Sequence, residues 1–382
     1  IIMSIKTLSK KMLAIVAAGA MTMGLAMPTS VFAAGKDTPS KVNEAYISKT
    51  FNTEVGKNEA FSFTATQVTG NTADVTIPNI TFADTDTGSK TKRAKVTFPE
   101  EWPDAGKYEY TVTESQTANP AITDGEHQKM IMSKAEYTMD VYVSNGDHGF
   151  EISNIIVKRT KDDAGKNAND VKVTDIGDDD TNGFKFTNTY VQEAGTGIDP
   201  TKPDPTYNTD GSLNVTKAIN ANGGKVDTGR EFDFTATFAF PTGTDANTLG
   251  GVKDANGHTI AINEAGTYTF TLKADRNMKF TGVPVGTTIS VTESATPNYK
   301  GSVVSVFNGQ QSINEEALKY NAPITVTGKL GQNQNKVDVT NTYNYVPTTG
   351  IIMNNLPYVL MIALCGAALM AFVAFKRRSL QK

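Results

Sequence analysis

Two copies of one seven-residue pattern constrain the fold more than any other feature of this sequence. Residues 184–190 read Phe-Lys-Phe-Thr-Asn-Thr-Tyr, and residues 337–343 read Val-Asp-Val-Thr-Asn-Thr-Tyr. Successive side chains of a β-strand point to opposite faces, so Asn188 and Asn341 share a face with the apolar residues of their strands. Each strand therefore carries an uncharged amide into a core, where the amide needs a hydrogen-bond partner or a reaction.

The remaining sequence predicts an all-β protein. Val, Thr, Phe and Tyr alternate in short runs, Gly and Asn supply the turns, and long amphipathic helical patterns are missing. The length of 382 residues allows two or three domains with sizeable cores. Composition alone is also compatible with a generic array of β-sandwiches. Only the sequence motifs can distinguish such an array from a more specific class of protein.

A longer set of motifs precedes each Asn strand. In each half a Lys lies on the apolar face of a strand, a Phe-x-Phe-Thr-Ala-Thr strand follows, and a Val-Thr-Glu-Ser strand then places its Glu on an apolar face. The Lys residues are Lys49 and Lys217, and the Glu residues are Glu114 and Glu293. The repeated order indicates a divergent internal duplication.

The predicted domain boundaries follow from this duplication. The first sandwich spans residues 44–191 and the second spans residues 213–345, with a Pro-rich linker at 192–212. Within the first domain, Asn145-Gly146 predicts a hairpin turn. The polar residues 158–182 predict a long exposed excursion before the closing strand.

Both ends of the chain carry targeting patterns. Residues 1–33 combine a basic start, an apolar stretch and a small-residue cleavage site, which predicts a secretory signal peptide. The pentapeptide 346–350 is followed by an apolar run at 356–375 that is long enough to span a bilayer. The basic tail at 376–382 places the C-terminus in the cytoplasm. We therefore expect an exported protein with a membrane-anchored precursor.

Charge and cysteine content exclude some functions. The two termini hold seven of the 36 basic residues and none of the 40 acidic ones, which leaves the region between them with a net charge near −11. This balance argues against nucleic acid as a partner. The only cysteine, Cys365, lies in the C-terminal apolar run, so the exported domains contain no possible disulfide. The domains are therefore stabilised either by their hydrophobic cores alone or by a different kind of covalent crosslink.

The polar residues on apolar faces have two explanations. The first is a buried Lys-to-Glu ion pair with the Asn as a hydrogen-bonding neighbour, an arrangement that is often energetically neutral at best. The second is an autocatalytic amide bond from Lys to Asn. Burial favours a neutral amine and a neutral acid, the amine attacks the Asn side chain, and the Glu polarises the carbonyl and carries a proton to the departing ammonia. The fold itself supplies the proximity.

The motifs described above resemble those of a known protein family. The ordered trio, the Thr-Asn-Thr-Tyr strand and the C-terminal signal together are similar to the backbone (shaft) pilins of Gram-positive bacteria, which are built from pilin isopeptide-linkage domains. The resemblance covers essentially the whole chain and implies two tandem immunoglobulin-like β-sandwiches. It also implies a bond from Lys49 to Asn188 assisted by Glu114. In the second domain the implied bond joins Lys217 to Asn341 with Glu293 assisting.

The C-terminal pattern resembles the sorting signal of the same family. Val346, Pro347, Thr348, Thr349 and Gly350 are similar to Leu-Pro-x-Thr-Gly, with Val in place of Leu. The resemblance implies that a sortase cysteine cuts between Thr349 and Gly350 and holds Thr349 as a thioester. An amine from another subunit or from the cell wall then resolves this thioester.

The acceptor lysine stays open at this stage. The Tyr-Pro-Lys-Asn motif of some pilins is absent, and so is the longer glutamate box of related domains. The acceptor should be exposed and near the end of the first domain, where Lys158, Lys161, Lys166, Lys172 and Lys185 compete. We favour Lys172 and Lys185 because they lie opposite in parity to apolar neighbours.

The leading functional hypothesis is a structural one. We expect the major subunit of a covalently polymerised pilus at the cell surface or cell wall. Its implied partners are sortase, other copies of itself, tip and basal pilins, and peptidoglycan. A monomeric wall-anchored adhesin or minor pilin is the alternative. We do not expect an enzyme, a cofactor or a metal site, because His127, His148 and His258 are scattered and each Glu would act only once during folding.

Overall fold

The computed structural model describes residues 42–177, 183–314, 320–345 and 348–379. The predicted signal peptide at 1–33 lies outside the described residues, and so do Val346 and Pro347 of the pentapeptide and the last three residues of the tail.

The first domain is a β-sandwich. One sheet has the order β5-β1-β11-β7, the facing sheet has the order β10-β9-β8-β6-β3, and β2 pairs with β4 beside them. The strands are β1 Tyr46–Thr53, β2 Glu59–Phe61, β3 Phe63–Thr69, β4 Ile80–Phe82, β5 Gly88–Lys95, β6 Gly106–Glu114, β7 Gln128–Ile131, β8 Glu136–Gly146, β9 Gly149–Lys161, β10 Asn167–Val173 and β11 Phe184–Gln192.

The second domain is a β-sandwich that follows the short helix α1, Pro205–Asp210. Its sheets have the orders β15-β12-β20-β17-β18 and β14-β13-β16-β19. The strands are β12 Leu213–Asn220, β13 Phe232–Ala239, β14 Thr267–Leu272, β15 Arg276–Phe280, β16 Thr288–Glu293, β17 Tyr299–Phe307, β18 Gln310–Asn314, β19 Ile324–Lys329 and β20 Lys336–Tyr343.

The first and last strands of each domain are parallel neighbours, with the same register in both domains. Burial alternates along β20, which matches the period of two in its sequence. β1, β11 and β12 also bury residues of the opposite parity, among them Ser48, Thr189 and Asn214. In each domain the Asn lies two residues beyond the residue that faces the Lys. The facing pairs are Lys49 with Phe186, Phe51 with Asn188, Lys217 with Val339, and Ile219 with Asn341. The prediction of two tandem immunoglobulin-like sandwiches is confirmed.

The polar stretch after β8 differs from the prediction. Instead of a long exposed excursion, β9 continues to Lys161 and β10 pairs back onto it as an edge strand. The turn forms because the Asp162 side chain accepts hydrogen bonds from the amides of Ala164 and Lys166. The preceding hairpin also turns two residues later than predicted, since Gly146 pairs with Gly149.

The segment that joins the domains is packed rather than free. Residues 192–197 are buried. The Ala194 amide donates to Val283 O at 2.9 Å, and the Val285 amide donates to Gln192 O at 2.8 Å, so this segment adds backbone pairing to the second domain. The Pro residues that suggested a linker lie in α1 and in the segment before it, whereas only Gln192 of the predicted linker belongs to β11. Glu193 adds an isolated bridge to Pro284 of the second domain.

A buried carboxylate, Glu193, connects the two domains. It accepts hydrogen bonds from His127 Nδ1 at 2.7 Å, from Tyr207 Oη and Ser212 Oγ at 2.6 Å each, and from the Gly282 amide. Burial by itself raises the pKa of Glu193, but these donors together outweigh it and hold the pKa below its usual range. The hydrogen bond to Glu193 raises the pKa of His127.

The junction predicts a pH dependence of stability. Because the pKa of His127 is raised above 6.5 in the folded protein, the His127–Glu193 pair contributes fully below about pH 6.5, and the contribution is lost as the pH rises through the raised pKa. We expect thermal unfolding temperatures to fall over that range, with Glu126 as the other acidic group near the ring. In His127→Gln this component should disappear. An unchanged pH profile in the variant would contradict the assignment.

The C-terminal helix α2 spans Thr348–Ser379 and extends beyond the predicted span at both ends. Its segment Pro357–Ala374 has a mean hydropathy of 2.2 and is exposed throughout, which fits a membrane-spanning helix. The prediction counted apolar residues alone, whereas the helix also includes polar residues at both ends and contains Pro357 in its interior. Thr348, Thr349 and Gly350 consequently have helical backbone.

Candidate functional site

The structure brings Lys49, Glu114 and Asn188 together in the core of the first domain. Lys49 and Asn188 lie on the adjacent strands β1 and β11, and Glu114 reaches them from the end of β6 in the facing sheet. Lys49 Nζ lies 2.7 Å from Glu114 Oε1 and 2.8 Å from Oε2. Asn188 Nδ2 donates to Glu114 Oε1 at 2.7 Å. The carboxylate therefore bridges the Lys amine and the amide nitrogen of the Asn.

Burial changes the acid–base properties of this trio. Both Lys49 and Asn188 are 0% exposed. Burial lowers the pKa of Lys49 to about 8, against the opposing effect of Glu114. Burial also raises the pKa of Glu114, against the opposing effect of Lys49. Both shifts weaken the charged forms of the pair, which is the direction that a free-amine nucleophile beside a neutral acid requires.

The second domain contains an equivalent trio. Lys217 Nζ lies 2.9 Å from Glu293 Oε2, and Asn341 Nδ2 donates to Glu293 Oε1. Burial lowers the pKa of Lys217 to about 8 and raises the pKa of Glu293. Each Lys also has its Nζ over a Phe ring that forms the apolar wall of the site. The distances to the ring centroids are 4.5 Å for Lys49 over Phe61 and 4.3 Å for Lys217 over Phe232.

The Asn carbonyl groups face different surroundings in the two domains. Asn188 Oδ1 accepts a hydrogen bond of 2.7 Å from the backbone amide of Ser133. Asn341 Oδ1 is buried and has no hydrogen-bond partner among the residues that the structure describes. In both trios the Glu contacts the amide nitrogen, so it does not occupy the carbonyl-polarising position that the sequence suggested. In the first domain that position belongs to Ser133.

This arrangement can form an amide bond with a balanced transfer of protons. The proton of the ion pair moves to the Glu, and the free Lys amine attacks the Asn side-chain carbon. The Glu then donates its proton to the Asn nitrogen, which leaves as ammonia, and takes the surplus proton from the new Lys–Asn bond. The products are a neutral secondary amide, ammonia and a protonated Glu. One carboxyl group serves both nitrogens because its oxygens already contact both.

The candidate acceptor lysines all lie in the first domain but not in one cluster. Lys161 and Lys166 are exposed, and Lys158 is half-buried on β9. Lys172 is exposed on the edge strand β10, and Lys185 is exposed on β11 between β1 and β7. Exposure alone does not select among Lys161, Lys166, Lys172 and Lys185. For the part of the pentapeptide within the described residues, only the helical backbone of Thr348 to Gly350 is described.

Sequence patterns did not identify three residues that make buried hydrogen bonds at the first site or at the domain junction: Ser133, Asp163 and Glu193. Ser133 contacts Asn188 through its backbone amide, which has no sequence signature. Asp163 lies in a charge-rich turn that resembles an ordinary solvated loop, although Asp-Asp-Ala-Gly at 162–165 is a turn signal that could have located it. Glu193 directly follows the closing strand, where a single carboxylate carries no pattern.

Comparisons with known proteins give limited additional information. A family described as a domain of unknown function (DUF7601) matches residues 211–343, which correspond to the second sandwich. No curated protein matches the chain.

Several solved structures have some similarity to the chain. A major pilin protein from Streptococcus pyogenes is 21% identical, with 80% of this chain and 99% of that chain covered and a TM-score of 0.32. Another structure of the major pilin from Streptococcus pyogenes is 20% identical, with 79% and 99% covered and a TM-score of 0.31. A pilus-presented adhesin is 15% identical, with 55% and 37% covered and a TM-score of 0.26. TM-scores of this size do not establish a shared fold.

Proposed function

We propose that this protein is the repeating structural subunit of a covalent surface pilus, with one internal Lys-to-Asn isopeptide bond in each domain. The observation that carries the proposal is the recurrence of a buried, hydrogen-bonded Lys–Glu–Asn trio at the same strand register in both domains. Two ion pairs without further chemistry would remain costly to bury. In each domain, formation of the crosslink removes the Lys and Glu charges, because it leaves a neutral amide and a protonated Glu and releases ammonia.

The position of the bonds fits a load-bearing role. Each bond ties the first strand of a domain to the last, which are parallel neighbours. Tension that enters a domain at its first strand and leaves at its last would pass through the covalent bond rather than through the rest of the sandwich. The same bonds would close each domain in the absence of disulfides. Each Glu would act once, during folding, without turnover.

The C-terminal segment supplies the link between subunits in this proposal. Thr349 would be transferred by a sortase to a lysine of the next subunit, and at the base of the fibre to peptidoglycan. Tip and basal pilins would be further partners. The apolar helix α2 would hold the precursor in the membrane until cleavage. The pentapeptide, the span and the basic tail follow one another in the order that this chemistry requires.

Polymer formation tests this function directly. Surface extracts of cells that express the full chain should show a ladder of high-mass species after boiling in detergent, because amide bonds survive that treatment. Thr349→Ala should abolish the ladder, since a sortase that recognises the Thr side chain would no longer cleave there, while the two sandwiches stay folded. A wild-type chain that appears only as a monomer would contradict the pilus proposal. A wall-linked monomer in that experiment would instead support the adhesin alternative.

A further inference from the structure

The two crosslinking sites differ at the Asn carbonyl, and the difference originates in the neighbouring strand. In the second domain β17 runs alongside β20 past the reactive position, with Gly301 facing Asn341. In the first domain the corresponding pairing of β7 with β11 ends at Ile131 and Thr189, one residue before Asn188 would be reached. The chain leaves the ladder there, and the amide of Ser133 is free to turn toward the Asn188 side chain.

Asp163 holds the chain in this position. Its Oδ1 accepts a hydrogen bond from Ser133 Oγ and another, at 2.9 Å, from the amide of Thr187. Its backbone carbonyl accepts from the Lys134 amide, also at 2.9 Å. Asp163 therefore connects the segment that carries the donor to the strand that carries Asn188, at the point where backbone pairing between them is missing. The turn between β9 and β10 supplies the group that replaces the lost ladder contacts.

The hydrogen bond from Ser133 also fixes which way the Asn188 amide faces. Its oxygen must face the Ser133 N–H, so its nitrogen must face Glu114, which already contacts the attacking Lys49. When the amine attacks, negative charge develops on Oδ1, and a preorganised backbone donor stabilises that charge. The leaving nitrogen is at the same time directed at the group that protonates it. Asn341 has no such donor among the described residues.

We propose that the Ser133 amide is an oxyanion donor for bond formation in the first domain, that Asp163 is its positioning residue, and that the first domain therefore crosslinks faster than the second. This inference rests on the proposed isopeptide chemistry and concerns its order. Loss of a single oxyanion donor slows acyl-transfer reactions on the order of a hundredfold. A subunit built in this way closes its N-terminal domain first, before the second domain has finished its own reaction.

The test follows both bonds in the same chain. The full chain is synthesised in a cell-free reaction with detergent micelles under an isotopic pulse, and samples are quenched in acid over time. Peptide mass spectrometry then measures the Lys49–Asn188 and Lys217–Asn341 products separately. In the wild type the first product should form before the second. Asp163→Ala should slow the first product by about tenfold or more and leave the second unchanged.

Two matched variants separate positioning from charge and from folding. Asp163→Asn keeps an oxygen that accepts both hydrogen bonds but removes the charge, so it should restore a rate near that of the wild type. Circular dichroism of the Asp163→Ala chain should show the β-structure of the wild type, which a folding defect would not. Equal rates in the two wild-type domains, or a wild-type rate in Asp163→Ala, would overturn the inference. Absence of both products in the wild type would overturn the isopeptide proposal itself.

Discussion

The Glu114→Ala chain is expected to lose one ammonia instead of two and to unfold at a markedly lower temperature than the wild type. Without the carboxyl group no proton reaches the leaving nitrogen of Asn188, so the first-domain bond does not form. By analogy with disulfides, closing a loop of this length restricts the unfolded chain by roughly 4–5 kcal/mol. The shift in unfolding temperature should be on the order of 10 °C. Intact-mass analysis and thermal denaturation of the full chain check both expectations.

A matched variant separates the crosslink from the buried charge. Glu114→Ala also leaves Lys49 buried without its carboxylate, which costs about 3–5 kcal/mol by itself. The double variant Lys49→Met with Glu114→Gln removes the nucleophile and both charges but keeps a side-chain acceptor for Asn188. Its mass should equal that of Glu114→Ala after correction for composition, with a smaller loss of stability. A wild-type mass equal to the sequence mass would leave only the ion-pair explanation.

The trios could be predicted because period-two parity is local information. A charged or amide side chain that alternates with Phe, Val or Ile must face the core once the segment is a strand. Lys49, Glu114 and Asn188 follow from this parity without any knowledge of the sheet order. The duplication then supplied a second set, Lys217, Glu293 and Asn341, in the same order and with the same parity. The link between the first and last strands was implied by the family resemblance and not by the parity, and their parallel pairing comes from the structure alone.

The environment of the Asn188 side-chain carbonyl could not be predicted, because it depends on the residue at which the backbone pairing between β7 and β11 ends. Nothing in the sequence marks Ile131 as the last paired residue of β7, and a backbone amide looks the same at every position. Asp163 and Glu193 were missed for a related reason. An isolated carboxylate in a polar segment is usually solvated, and only tertiary contacts reveal that these two accept several hydrogen bonds each.

The edge strand β10 makes Lys172 the acceptor that we expect for Thr349. β10 pairs only with β9, so its other edge is open to an enzyme cleft, and the Lys172 side chain is exposed. Lys185 is also exposed, but it lies on β11 with strands on both sides.

Arg keeps the positive charge of Lys and stays protonated, so it cannot act as the nucleophile. Lys172→Arg should therefore abolish the detergent-resistant ladder while Lys185→Arg retains it. Both variants should still lose two ammonia molecules, which shows that their domains have folded. A full ladder from Lys172→Arg would exclude the edge strand as the acceptor and transfer the expectation to Lys185.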